Sequence, residues 1–132
     1  MIIAIKAGRF NIIHTGHVHC LNECKSHCDK LIVLLHDKEE DRAIMTAEQR
    51  SFVLKNLRCV DEVFIYTEPT EDNIVKQIRN IYPNDKLIIF HDEGLANKQS
   101  IPASDIVDEI FFIPRYKGLS VSDIYERIRN QT

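Results

Sequence analysis

The chain has 132 residues, 44% hydrophobic and 28% charged, with a formal net charge of −3. That length suits one domain, residues 1–132, with an ordinary core. The mild acidity argues against a general nucleic-acid binder, and unbroken apolar runs such as Leu31 to Leu35 are far too short to span a membrane.

Ile2 to Ala7 is a β-branched run that stops at Gly8, as a buried first strand does. Met1-Ile2-Ile3 enters it with no basic n-region, so no signal peptide is expected. The strand feeds Gly8-Arg9-Phe10-Asn11-Ile12-Ile13-His14-Thr15-Gly16-His17, and a helix is expected from Gly16 to about Ser26. Two histidines therefore fall on the turn from a first strand into a first helix. The free N–H groups and positive end of such a helix face outward and attract phosphates. The spacing His-x-Gly-His can set both imidazoles on one side of the turn, and Gly16 lets a ligand approach the backbone closely. Spacing alone leaves a capping or surface role for each histidine equally open.

Cys20, Cys24 and Cys28 fall on one stripe of that helix, and Cys59 stands apart. Neighbours along one helix are poor disulfide partners, and the paired short spacings of structural zinc sites are missing. Buried thiols facing the sheet are expected, with no metal, and reduced thiols fit a cytoplasmic protein. A metal–thiolate stripe is the alternative.

Lys30–His36 reads as a central parallel strand, apolar from Leu31 to Leu35. A charged loop follows from Asp37 to Met45. Thr46 then has the pattern of an N-cap, with Gln49 closing a capping box. That helix is expected to reach about Leu57, with Val53, Leu54 and Leu57 on its inner face. Val60–Tyr66 is the third strand. A helix starts at Thr70 and ends near Tyr82-Pro83. Leu87–Phe90 and Ile110–Ile113 are the fourth and fifth strands, and His91 to about Ser104 is a functional-length loop. The last helix opens at Ser120, with Asp123 in its first turn, and runs to about Arg129.

Alternating strands and helices predict an α/β fold: a Rossmann-like, five-stranded parallel sheet with helices on both faces. Ligands in such sheets bind beyond the carboxyl ends of the strands. Gly8–His17, His91–Gln99 and Arg115–Ser120 each follow a strand, so all three should meet at one edge.

Gly8-x-Phe10-x-x-x-His14-x-Gly16-His17 resembles the signature of the HxGH nucleotidyltransferase superfamily. The likeness extends through Thr46–Arg50, Leu57–Val63 and Arg115-Tyr-Lys-Gly118-Leu-Ser120-Val-Ser122, and is closest to the glycerol-3-phosphate cytidylyltransferase group. The resemblance implies that CTP is joined to a small phosphorylated alcohol with release of pyrophosphate, with Mg²⁺ accompanying the triphosphate. It implies that His14 and His17 stabilise the transition state, aided by Arg115. It further implies nucleotide contacts from Gly8, Arg9, Phe10, Asn11, Gly16, Asp92, Gly118, Ser120 and Ser122, and places Lys38, Arg42, Arg50 and Asp61 as candidates for the acceptor. A homodimer follows from resemblance alone.

The chain departs from that group at four places. Arg9 replaces a threonine and gives Gly-Arg-Phe, as in some nicotinamide-mononucleotide adenylyltransferases. Asn11 replaces an aspartate. The lysines after the second strand have no clear match. The stretch after strand four opens with His91 rather than glycine. The alternatives are an adenylyltransferase acting on a phosphorylated cofactor precursor and a nucleotide-binding module without turnover.

Overall fold

In the computed structural model, residues 1–38, 44–95, 101–114 and 116–131 are described. Arg42 and Arg115 lie outside them. The strands are β1 (Ile2–Gly8), β2 (Lys30–His36), β3 (Glu62–Tyr66), β4 (Lys86–Asp92) and β5 (Glu109–Ile113). The helices are α1 (Thr15–Ser26), α2 (Ala47–Lys55), α3 (Asp72–Ile81) and α4 (Val121–Gln131). All strand pairings are parallel, in the order β3-β2-β1-β4-β5. The expected α/β, Rossmann-like sheet is therefore present.

The strands are buried because apolar side chains leave both faces of the central three. Ala4, Val33 and Phe90 point to one side, where Leu21 and Cys24 of α1 and Leu54 of α2 close the core. Ile5, Ile32 and Ile89 point to the other, under Val75 and Ile78 of α3. Helix α4 buries no residue fully.

Three expectations shift. β4 continues through His91 and Asp92, because these two pair with Phe112 and Ile113. The loop after β4 therefore starts later, with a 3₁₀ turn at Glu93–Leu95. Helix α2 turns Arg50, Ser51 and Leu54 inward, while Val53 is 36% exposed. Its inner face is rotated because the Arg50 guanidinium is drawn to backbone carbonyls, which an apolar count does not register. Cys28 falls beyond the end of α1, and Cys20 and Cys28 are only partly buried beside buried Cys24.

Strand order reverses between β1 and β4, so their carboxyl ends, Gly8 and Asp92, flank the crevice of the sheet.

Candidate active site

The β1–α1 turn is built around its two imidazoles. The Gly16 N–H donates to His14 Nδ1 at 3.0 Å, and the His14 N–H donates to His17 Nδ1 at 3.2 Å. These bonds cap α1 and fix the rings as well: with Nδ1 accepting, the ring proton of a neutral imidazole sits on Nε2. The rings lie 4.1 Å apart between centroids, and Phe10 packs 5.1 Å from His17. Phe10 reaches there through a left-handed backbone, φ 51°. Gly8 is needed beneath it, since a Cβ there would stand 2.8 Å from the Phe10 ring.

Burial pushes the His17 pKa down to about 4, with further lowering from His14 and Lys6. Burial also lowers that of His14. Without ligand, both rings are therefore neutral at pH 7 and offer hydrogen bonds rather than charge.

Two cavities open at this edge. The first, about 680 Å³, is walled by the β1–α1 turn with His14 and His17, by Asp92, and by Ile113, Pro114, Tyr116 and Ser120. The second, about 550 Å³, lies beside it and is walled by His36, Lys38, Tyr66, Glu71 and His91. Lys6, Gly8, Arg9 and Asp92 line both. Phe10 and Gly16 belong to the first.

The start of α4 joins the first cavity as the topology requires. Ser120 Oγ accepts from the Asp123 N–H at 3.2 Å, and the Ser120 N–H donates to Asp123 Oδ2 at 2.9 Å. That reciprocal cap leaves the serine hydroxyl proton free to donate outward. Gly118 and Ser122 are exposed and lie outside the cavity walls. Asn11 is half-buried within the turn, also outside the walls.

Of the acceptor candidates, Lys38 borders the second cavity. Arg50 does not present itself to ligand. It is 0% exposed and donates to the carbonyls of Met45, Arg9 and His36. Asp61 is at the opposite edge. Its Oδ2 accepts from the Leu31 N–H at the start of β2 and pairs with Lys25 at 2.7 Å. A residue that precedes β3 lies at the amino ends of parallel strands, so Asp61 does not reach the site.

A family model described as cytidylyltransferase-like matches residues 5–127. The chain belongs to the cytidylyltransferase-like family. Its curated relatives include the bifunctional protein HldE of Azotobacter vinelandii, 31% identical over a 140-residue alignment that covers 98% of this chain. The HldE of Wolinella succinogenes is 33% identical over a 134-residue alignment that covers 96% of the chain. The chain spans 28% and 27% of the length of these two relatives. Among solved structures, a lipopolysaccharide core biosynthesis protein from Thermoplasma volcanium aligns with TM-score 0.64 and 25% identity, covering 89% of this chain and 99% of that one. A bifunctional NMN adenylyltransferase/ADP ribose pyrophosphatase from Francisella tularensis shares the fold, with TM-score 0.70 and 17% identity over 98% of this chain and 42% of that one.

In this cytidylyltransferase-like domain, several residues at the cavities escaped the sequence reading. Lys6 stands in a strand read as an apolar run. Tyr66 ends β3 and Glu71 follows it, in a segment with no motif. Glu71 is 8% exposed, and its Oε1 lies 3.9 Å from His91 Nε2. Burial first, then Glu71, pushes the Tyr66 pKa up to about 12, which keeps its hydroxyl protonated. Tyr116 stacks on His19 at 4.8 Å and covers Gly16, where a Cβ would come within 2.9 Å of its ring. Cys20 also borders the first cavity, its pKa drawn down to about 7 by a hydrogen bond from Cys24.

Proposed function

We propose that this chain transfers a nucleotidyl group from a nucleoside triphosphate to a small phosphorylated acceptor and releases pyrophosphate. The observation that carries the reading is the pair of imidazoles at the α1 N-terminus, lining a cavity that abuts a second, cation-bordered one. An acceptor phosphate oxygen attacks the α-phosphorus, a new P–O bond forms, and the bond to the pyrophosphate oxygen breaks with its electron pair. Charge grows on the phosphoryl oxygens, where fixed N–H donors help most. The reaction needs no nucleophilic side chain, and none is assigned.

The nucleotide occupies the first cavity. Its β- and γ-phosphates are assigned to the α4 start, with Ser120 donating, and Arg115 as a further phosphate ligand. Asp92 faces the ribose or base. For the donor, Gly8-Arg9-Phe10 favours ATP, and the adenylyltransferase activity named for solved neighbours adds to it. The family description keeps CTP as the second reading. Mg²⁺ neutralises the triphosphate. Among the described residues no three His, Cys, Asp or Glu side chains converge, so the ion fits as a passenger of the nucleotide, with Asp92 the adjacent carboxylate.

The acceptor occupies the second cavity. Glu71, Tyr66 and His91 offer hydroxyl-binding groups beside the cations Lys38 and Arg9, which suits a phosphorylated polyol. Several hydroxyl-binding groups around one cavity favour a sugar phosphate over glycerol 3-phosphate. The lipopolysaccharide core biosynthesis neighbour is consistent with a sugar. A second copy of the chain is the proposed partner, tested by analytical ultracentrifugation. A thermal-shift panel of ATP, CTP, GTP and UTP with Mg²⁺ tests the donor. Ligand at about 100 times its dissociation constant adds roughly 2.7 kcal/mol. The largest shift is expected with ATP. A shift with CTP alone would exchange the two readings, and no shift with any nucleotide would remove both.

A further inference from the structure

Lys6 is out of place for a residue of its strand. It follows Ala4 on the same side of β1, and its register partners are Val33 on β2 and Phe90 on β4, both members of the apolar core. It is 8% exposed. Its ammonium donates to the Ala7 carbonyl at 3.1 Å and stands 3.7 Å from Asp92 Oδ1, a carboxylate that is itself 80% exposed. A solvated carboxylate at that distance is a weak counter-ion, and a buried ammonium is costly unless a charge faces it. A methionine would fill the same space at no such cost. The charge is therefore kept for something that the unliganded protein does not supply.

What it faces is the junction of the two cavities, both of which it lines. His14 and His17 are half-buried, which lowers both pKa values, so they bring no charge there at neutral pH. On the reading that nucleotidyl transfer takes place between these cavities, we infer that the Lys6 ammonium binds a non-bridging oxygen of the phosphoryl group in transfer. Lys6 is then a catalytic residue in its own right, supplying the fixed positive charge for which the histidine turn supplies only dipoles. Charge on that oxygen rises as the acceptor oxygen bonds to the phosphorus and pyrophosphate departs, so a partly desolvated ammonium acts more strongly in the transition state than in the ground state.

Lys6→Met removes the charge and keeps the bulk. It should fold with an unchanged or higher melting temperature, because an ammonium leaves an apolar row. Its kcat should fall about 100-fold or more, with KM for the triphosphate rising about tenfold. Calorimetric titration with inorganic triphosphate should show at least a tenfold weaker affinity. Lys6→Gln serves as the second variant if the first does not fold. An unchanged kcat and triphosphate affinity would overturn the inference, as would a loss of melting temperature with normal kinetics, which would make Lys6 a structural strut. The two claims separate cleanly. If the wild-type protein turns over no nucleotide, the transfer reading fails and the triphosphate titration alone decides on Lys6: a tenfold loss upholds an anion-binding ammonium, and equal affinities reject it.

Discussion

His17 sets the chemistry at the scale of single residues. Its folded pKa is about 4, against 6.5 unfolded, with burial as the first cause. Between those values the unfolded chain binds more protons than the folded one. Stability from this group is thus complete above pH 6.5 and lost as pH falls toward 4, with His14 adding to the same slope. The melting temperature of the wild-type protein should drop across that window, and His17→Gln should flatten the drop. Parallel curves for the two proteins would contradict this account of the turn. In activity, His14→Ala and His17→Ala should each lose about two orders of magnitude or more in kcat, as loss of one preorganised donor does. His14→Ala should also lose about 1 kcal/mol of stability, since it removes a helix cap. The site's position was legible from His-x-Gly-His, but its charge distribution was not. Burial is a tertiary property, and it makes the imidazoles neutral while Lys6, hidden in a strand pattern, carries the charge.

Arg50 shows what happens at the scale of the element. The capping box at Thr46 and Gln49 is as the sequence indicates, with bonds of 3.1 and 3.0 Å. Periodicity assigns α2 an apolar face of Val53, Leu54 and Leu57, and the family resemblance offers Arg50 to the acceptor. The structure instead buries that arginine and uses it to tie Met45, ahead of α2, to the β1–α1 turn at Arg9 and to the end of β2 at His36. These carbonyls sit at loop ends, and a guanidinium fork is a side chain able to reach several at once. Arg50→Met should therefore cost on the order of 3 kcal/mol, since orphaned buried carbonyls carry the penalty. Urea denaturation measures it, and a change within about 0.5 kcal/mol would return Arg50 to the ordinary surface-residue class. Helix α4 is the simpler case. Ser120→Ala removes a cap visible in sequence and should cost about 1 kcal/mol. It should also weaken binding of the triphosphate more than of the monophosphate; equal losses would detach Ser120 from the distal phosphates.

For the whole molecule, the sequence was most informative where periodicity was strong. Five apolar strand runs alternating with helices dictate a parallel sheet, and the order β3-β2-β1-β4-β5 puts Gly8, Asp92 and the α4 start around one crevice despite wide separation in the chain. The two-residue extension of β4 was missed, because His91 and Asp92 look like loop residues until β5 pairs with them. Asp61 was misplaced for a related reason: a motif places a residue in the chain, whereas the direction of the strands decides which edge it reaches. The proposed function makes this edge the place of nucleotidyl transfer. Phosphorus-31 NMR of the protein with Mg²⁺ and ATP or CTP, offered glycerol 3-phosphate and a panel of sugar phosphates, follows that reaction itself. Pyrophosphate and a new phosphoanhydride should grow equally with at least one pair, and His17→Ala should abolish both. No pyrophosphate with any pair, or the same yield from His17→Ala, would contradict that function.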